Sequence, residues 1–334
     1  MFKPRQGHLV LSSNANSRFS RAIAALVLAG LAGCAAGPQL RDYHISGQAV
    51  ELKEVPFYAQ EGYQGGPAAM AMMLAANGAQ VAPADLVGLV YDAKNDDSPQ
   101  GWMHNGAAHY GRVPYVLKSK QLDLDVVHQV QAGHPVLVLL RSGLVLKQWQ
   151  YAVVMGVDPG ASTFTVRTGT EQRKVMNYGD FLAAWHDSAY WAMLTALPAE
   201  IPEAASARDW LSGAALIEQA GKPDAAAQAY AAATRRWPGE AQAWAGLGRN
   251  DYSIHNLRGA TLAFNTAVSL QPDNAAAHNG LAKALLDRQC ADQAEDEINR
   301  ALELERNPNL RAAYQQTQRD VAKHSGPSVV CPLE

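Results

Sequence analysis

The sequence predicts an α+β domain followed by an all-α domain built from repeats, both behind an N-terminal targeting segment. Between residues 54 and 198, apolar helical stretches precede a run of apolar strand-like stretches, an order typical of α+β folds. Residues 207–321 show no strand pattern, and their apolar and alanine positions recur every 34 residues. The length of 334 residues also favours two domains over one.

The charge balance excludes some classes of partner. The chain has 28 basic and 31 acidic residues, for a net charge of −3, so nucleic acid is not an expected partner. His104 and His109 are five residues apart, which is not the spacing that puts two imidazoles on one helical face. We therefore expect neither a metal nor a cofactor.

Residues 1–33 have the pattern of a signal peptide. Residues 1–21 contain lysine and arginine and no acidic residue, and residues 22–33 form an apolar run that is too short to span a bilayer. The run ends in L-A-G-C, and this sequence resembles the cleavage box of bacterial lipoproteins. The resemblance implies that Cys34 carries a lipid. The alternative is an ordinary signal peptide with a chance cysteine.

The same resemblance implies a location. The residue after Cys34 is Ala35, and in such lipoproteins a non-acidic residue there usually directs the protein to the outer membrane, facing the periplasm. Residues 34–53 are mostly polar without a clear period and are predicted to be a tether between the lipid and the first domain.

The two remaining cysteines, Cys290 and Cys331, form an even pair. Disulfides persist in the periplasm, so we predict a bond between them. It would close a loop of about 40 residues, which the chain-entropy model values at roughly 4 kcal/mol. The alternative is that they are two unrelated, small apolar residues.

The 34-residue period holds at several positions of residues 207–321. The matching sets are Trp210 and Trp244; Ala226, Ala260 and Ala294; Tyr230, Phe264 and Ile298; Ala233, Ala267 and Ala301; and Pro238 and Pro272. This pattern resembles the tetratricopeptide repeat, in three copies. Leu310–Val321 would form a capping helix, and residues 322–334 a tail. Asp251, His278 and Arg306 depart from the repeat pattern. The resemblance implies a groove for a protein or peptide partner.

A second resemblance centres on residues 60–74, Q-E-G-Y-Q-G-G-P-A-A-M-A-M-M-L. They follow the extended segment V-P-F-Y-A-Q, and an apolar helix is predicted to begin at Ala68. Further along are G-H-P-V-L-V-L-L, Y-A-V-V-M-G-V-D and T-V-R-T-G-T. Together these motifs resemble the papain-like cysteine peptidases that process double-glycine leader peptides, in the bacterial lipoprotein branch fused to tetratricopeptide repeats. The resemblance covers about residues 54–198, and residues 199–206 are the predicted linker to the repeats.

The resemblance implies roles for individual positions. Gln60 stands where the family has its oxyanion donor, and Gly65 stands where it has the nucleophilic cysteine. Gln150 stands at the catalytic histidine, and an amide cannot accept a proton near neutral pH. The residue that orients the histidine would fall near Thr168, with Asp158 a weaker candidate.

Three hypotheses follow from these positions. The first is a lipid-anchored pseudopeptidase, not an enzyme, that binds a protein or peptide through the repeats and the vestigial cleft. The second is an active hydrolase of the same family with a relocated nucleophile. The third is that only the repeats function and that the first domain is structural.

Overall fold

The computed structural model describes residues 47–60, 65–90, 99–118, 122–142, 148–203, 205–324 and 330–332. The predicted signal peptide, Cys34 and the first part of the predicted tether lie outside the described residues. No helix in the described ranges is long and apolar enough to cross a membrane.

The first half of the chain is a seven-stranded antiparallel sheet with helices on both faces. Its strand order is β2-β7-β3-β4-β5-β6, and β1 pairs with β4 off this path. Val50–Glu51 lies within the predicted tether but pairs with Gly156 and Val157 of β4, so the sheet includes residues before 54. The elements are β1 (Val50–Glu51), α1 (Gly65–Ala76), α2 (Pro83–Val90), α3 (Pro99–His109), β2 (Val113–Val116), α4 (Leu122–Gln131), β3 (Val136–Ser142), β4 (Gln148–Asp158), β5 (Thr163–Thr168), β6 (Glu171–Asn177), α5 (Tyr178–His186) and β7 (Ala192–Ala196).

Helix α1 begins at Gly65, so the prediction that it begins at Ala68 is wrong. Pro67 lies in the first turn, where a helix needs no N–H donor from it, and the two glycines before it adopt helical geometry. Residues 66–74 are all buried. The helix is thus enclosed on every side, as expected for a helix that is apolar all round.

The strands carry a separate apolar core on each face of the sheet. Val153 and Met155 of β4 pack with Met70 and the rest of α1. Ala152 and Val154 belong to the other core, whose helices are α4 and α5 and whose largest side chains include Trp185. The continuous apolar run of β4 reflects this burial on both faces.

The sequence patterns do not predict strand β6. Its residues, E-Q-R-K-V-M-N, are mostly polar because the strand lies at the edge of the sheet, and only two of its side chains are partly buried. Charged residues on an edge strand protect it from pairing with another chain. Such a strand lacks the apolar alternation that sequence analysis relies on.

The second half of the chain is a stack of helical hairpins. Its helices are α6 (Ala207–Gln219), α7 (Pro223–Arg236), α8 (Ala241–Ser253), α9 (Leu257–Leu270), α10 (Ala275–Asp287), α11 (Ala291–Leu304) and α12 (Pro308–Ala322). Equivalent helices of successive repeats start 34 residues apart. Gly246 faces the ring of Tyr230 and Gly280 the ring of Phe264, each so closely that a side chain would collide. The 34-residue period therefore arises from aromatic rings packed against glycine.

The first repeat packs directly on the sheet. Trp210 and Ile217 of α6 share one apolar core with Val113 of β2 and Leu194 of β7. The backbone of Gly213 approaches β2 so closely that an added Cβ would lie 2.6 Å from Val113 Cγ1 and 3.1 Å from the carbonyl oxygen of residue 114. The two halves of the chain therefore share one core.

The C-terminal tail is fixed at the turn between α10 and α11. The structure joins Cys290 and Cys331 in a disulfide, with their Cα atoms 5.9 Å apart. Gln293 binds the backbone of Cys331 twice, donating to its carbonyl oxygen at 3.1 Å and accepting from its N–H at 2.7 Å. The guanidinium of Arg288 donates to the carbonyl oxygen of Pro332.

We expect Gly213→Ala to destabilise the protein. A helix glycine normally gains stability on change to alanine, but here the new methyl group meets the backbone of β2, which cannot move aside. The expected loss is about 1–3 kcal/mol, measured by urea unfolding. The matched control is Gly88→Ala in α2. A Cβ atom at residue 88 would meet no atom of the described residues within 4 Å, so the free energy of unfolding should rise by about 0.5–1 kcal/mol. Equal effects of the two changes would contradict the close contact.

We also expect the third repeat to lose stability as the pH rises. His278 is buried, its Nδ1 lies 2.5 Å from Glu297 Oε2, and its Nε2 lies 3.1 Å from the carbonyl oxygen of Pro272. Both partners only accept hydrogen bonds, so both ring nitrogens must carry protons. Burial is the largest influence and lowers the pKa of His278, and the charge of Arg300 lowers it further. The hydrogen bonds to Glu297 and to the carbonyl of Pro272, together with the charge of Glu297, outweigh both, so the pKa is raised.

The raised pKa of His278 determines how stability changes with pH. The stabilisation is complete below the unfolded pKa of about 6.5 and is lost as the pH rises through the higher folded pKa. Thermal unfolding should therefore occur at lower temperature at pH 8 than at pH 6, by about 2–4 °C for each kcal/mol lost. In His278→Gln this difference should shrink. An unchanged difference in that variant would refute the role of His278.

Candidate functional site

The structure holds Gln60 at the end of the extended segment before α1. Its backbone N–H donates to the carbonyl oxygen of Gly169 at 2.8 Å, which ties the segment to the turn after β5. Both polar atoms of its side-chain amide are buried, and neither has a hydrogen-bond partner among the residues that the structure describes. A buried amide without partners costs free energy, and a ligand that hydrogen-bonds to it would remove that cost.

Gly65 is the first residue of α1 and lies next to Gln60. A Cβ atom built on Gly65 would be 3.7 Å from Gln60 Oε1, which is an ordinary contact, and would meet no other atom of the described residues within 4 Å. The site therefore has room for a side chain, although the sequence provides none. The N-terminus of a helix also presents free N–H groups and a partial positive charge.

Gln150 lies near the start of β4, opposite Leu140 of β3. Its side-chain amide nitrogen packs against Gly169, so closely that a side chain on that residue would collide. Gly169 also has a φ of +57°, which disfavours other residues. Gln60 and Gln150 are therefore both in contact with Gly169, and Thr168 directly precedes it, so these three of the four predicted positions meet at this turn.

Thr168, the fourth position, is buried in β5. Its hydroxyl donates to the carbonyl oxygen of Tyr151 at 2.9 Å. Asp158, the weaker candidate for the orienting role, accepts a hydrogen bond from the backbone of Ala161 at 2.9 Å and so closes the turn after β4. Neither residue offers a carboxylate next to Gln150.

Successive side chains of β4 point to opposite faces of the sheet, and this decides whether Gln150 is on the same face as α1. Gln150 is in register with Ala152 and Val154, which face α4 and α5, whereas Tyr151 and Val153 face α1. Gln150 therefore belongs to the face of the sheet opposite α1, and it meets the site at Gly169 near the end of the strand. A side chain at 150 would have to approach Gly65 past the end of α1.

A buried charged group close to the extended segment before α1 is Arg167. It is buried, donates to the carbonyl oxygen of Gln172 at 2.9 Å, and lies 6.0 Å from the ring centre of Phe57. Burial lowers the pKa of Arg167, and the charge of Glu51 partly offsets this shift. Glu51 itself is held by Arg173 at 2.8 and 2.9 Å.

This arrangement can bind through hydrogen bonds but has no group suited to proton transfer. Gln60, Gly65, Gln150 and Thr168 contribute amides, a helix terminus and a hydroxyl, and none of these side chains accepts a proton near neutral pH. In the described part of the chain there is also no cluster of three or more potential metal-ligating side chains. An oxygen acceptor, such as a carbonyl or carboxylate, fits the donors that remain.

A cavity of about 260 Å³ lies elsewhere, between α4, β7 and the segment after β7. His128, His134 and Glu200 are among its lining residues, and none of the four predicted positions is. His186, the other histidine of this region, lies 3.4 Å from Asp187 on the surface. The structure thus does not bring these histidines to the site at Gly169.

The repeats form a second candidate site, here called the repeat groove. It has a volume of about 340 Å³ and is enclosed mainly by α6, α8 and α10. Most of its lining side chains are small or uncharged. The lining residues are Leu211, Ser212, Ala215, Tyr230, Gln242, Ala245, Arg249, Phe264, Asn274, Ala276 and Ala277.

One ion pair lies beside this groove. Arg249 donates to both carboxylate oxygens of Glu218, at 2.8 and 3.1 Å, and the hydroxyl of Tyr230 donates to the same carboxylate at 3.0 Å. Burial raises the pKa of Glu218, but Arg249 and Tyr230 outweigh burial, and the pKa is lowered. The hydrogen bond to Glu218 raises the pKa of Arg249. Both residues are therefore charged.

Two features of these sites are not evident from the sequence. The role of Gly169 appears only when β5 and the entry segment lie side by side, although the pattern T-G-T does suggest a turn there. Glu218 and Arg249 are 31 residues apart in the chain and lie on two different helices, and no spacing rule predicts that they pair.

No protein-family model and no curated protein matches this chain. Among solved structures, a C39-like peptidase from Bacillus anthracis is similar over 44% of this chain and 96% of its own, at 17% identity and a TM-score of 0.37.

Two helical-repeat structures are similar to the second half of the chain. The type III secretion translocator chaperone SycD of Yersinia enterocolitica is covered over 88% of its length and 37% of this chain, at 18% identity and a TM-score of 0.34. The TPR2B domain of yeast Sti1, in complex with an Hsp70 peptide, is covered over 96% of its length and 35% of this chain, at 15% identity and a TM-score of 0.33. Similarities at this level carry no functional assignment.

Proposed function

We propose that this protein is a binding factor of the bacterial cell envelope and not a peptidase. Its sheet domain resembles a papain-like peptidase without the catalytic groups, and its repeats supply a groove for a protein or peptide partner. The observation that carries the proposal is Gly65 at the N-terminus of α1, with Gln150 instead of a base in the same site.

The site at Gly169 supports binding without chemistry. A nucleophile must be an ionisable or activated side chain beside a base, and Gly65 and Gln150 are neither. By contrast, the buried amide of Gln60 has no hydrogen-bond partner in the described part of the chain, and it lies beside the first residue of a helix. A carbonyl or carboxylate of an extended peptide would satisfy these donors.

The repeat groove supports the same conclusion from the other half of the chain. Four of its eleven lining residues are alanine, which lets a main chain approach closely, and its volume of about 340 Å³ is that of a small peptide segment. Because α6 packs on β2, the groove is rigidly attached to the sheet. The partner would therefore meet a fixed surface.

The proposed location rests on the sequence at Leu31–Cys34 and on Ala35. A lipid on Cys34 would anchor the protein to the outer membrane, and the residues before β1 would separate the folded part from the membrane surface. The disulfide between Cys290 and Cys331 agrees with an oxidising compartment such as the periplasm.

The catalytic part of the proposal is tested by restoring the two missing groups. We expect the unmodified chain to leave double-glycine peptides uncleaved. We expect Gly65→Cys to have a reactive thiol of pKa below about 8.5, because of the helix terminus, but no turnover. Combined with Gln150→His, the cysteine should cleave slowly, as measured by mass spectrometry of the peptide products.

The control for a general thiol effect is Gly239→Cys combined with Gln150→His. Gly239 lies in the turn between α7 and α8, and a Cβ atom there would meet no atom of the described residues within 4 Å. This control should be inactive. Cleavage by the unmodified chain would contradict the proposal and favour the alternative, a hydrolase with a relocated nucleophile.

The anchor is tested by labelling cells with radioactive palmitate. The unmodified chain should incorporate label and sediment with outer membranes. Cys34→Ser should lose both properties, because no other cysteine follows the signal peptide directly. Label retained in Cys34→Ser would show that the lipid is attached elsewhere, and no label in the unmodified chain would show that there is no lipid.

A further inference from the structure

We propose that Glu218 determines the specificity of the repeat groove, by neutralising Arg249 and so restricting the groove to uncharged peptide segments. This inference rests on the proposed function, that the repeats bind a peptide. It adds the chemical class of the peptide and the residue that selects it.

The geometry holds the carboxylate of Glu218 on Arg249. The two hydrogen bonds from Arg249 Nε and Nη2, at 2.8 and 3.1 Å, form the forked contact that best fixes a guanidinium to a carboxylate. The Tyr230 hydroxyl donates a third hydrogen bond, to Glu218 Oε2 at 3.0 Å. Glu218 is thus held from two sides.

The pair is particular to this place and is not a property of every repeat. One repeat further along, Tyr252 stands where Glu218 is, and Phe264, which has no hydroxyl, stands where Tyr230 is. Lys283 keeps the positive charge of Arg249, whereas the equivalent position one repeat before Arg249 is Ala215. The next repeat therefore has a cation at this position but no carboxylate in the position of Glu218.

The charge in the groove follows from this cluster. Arg249 is the one charged residue among those that line the groove, and its side chain is still 50% exposed. Unpaired, it would attract acidic groups in a ligand. When Arg249 is paired with Glu218, the two charges cancel and the groove has no net charge. The other lining residues are uncharged and include alanine, serine and glutamine. A groove of this kind matches an uncharged segment, and the partly buried carboxylate of Glu218 repels an acidic one.

The experiment uses the full-length chain and a random dodecamer peptide library displayed on phage. The unmodified protein should enrich peptides that contain fewer Asp and Glu residues than the input library. Glu218→Gln leaves the shape nearly unchanged but frees Arg249. It should enrich acidic peptides and bind a synthetic acidic peptide from that selection about tenfold more tightly than the unmodified protein does.

Two further variants separate the causes. Glu218→Gln combined with Arg249→Gln should lose the gain, because no free guanidinium remains. Glu303→Gln removes the same charge from an exposed ion pair with Arg300, and it should select like the unmodified protein. The proposal is overturned if Glu218→Gln selects no more acidic peptides than Glu303→Gln does. It is also overturned if the double variant keeps the gain.

One more variant distinguishes failure of the inference from failure of the proposed function. Ala276 lines the groove and is exposed, so Ala276→Trp should fill the groove without disturbing the core. Enrichment that Ala276→Trp abolishes, but that shows no dependence on Glu218, would refute the specificity alone. No enrichment by the unmodified chain, or enrichment that Ala276→Trp leaves intact, would refute peptide binding in the groove as well. Unfolding curves of each variant establish that it is folded.

Discussion

One apolar core holds the sheet and the first repeat together. Trp210 and Ile217 of α6 are buried in the same core as Val113 and Leu194 of the sheet. Gly213 makes this possible, because any larger residue there would push α6 away from β2. Without this core the repeats would lose the surface that covers their first helix, and a terminal repeat needs such a cover to be stable.

The same core gives the sheet domain a structural purpose that does not depend on catalysis. A domain that supports the repeats must keep its strands and helices, but it need not keep a nucleophile. Residue 65 has space for a side chain and carries none, while Gly169, which closely contacts both neighbouring glutamines, retains the strained backbone that only glycine readily adopts. The fold and the chemistry of this site are therefore separable, as they are in many families.

Much of this architecture could be predicted from the sequence, because periodic burial leaves a periodic pattern. The 34-residue spacing of the repeats and the apolar runs of β3 and β4 are of this kind. The start of α1 and the edge strand β6 could not be predicted, since a Gly-Gly-Pro sequence and a charged strand both resemble loops. The positions of the candidate site come from the sequence and stay a prediction, whereas the contacts of Gln60 and Gln150 with Gly169 and the pair of Glu218 and Arg249 depend on tertiary structure alone.

The proposed function requires this protein to bind an intact partner in the repeat groove. The most direct measurement is photo-cross-linking in living cells, with a benzophenone amino acid at Ala276 in the groove or at Gly239 on an exposed turn as the control. We expect a discrete adduct from position 276, containing a full-length partner, and none from position 239. An adduct that contains only a cleaved fragment of the partner, or the same adducts from both positions, would contradict the account.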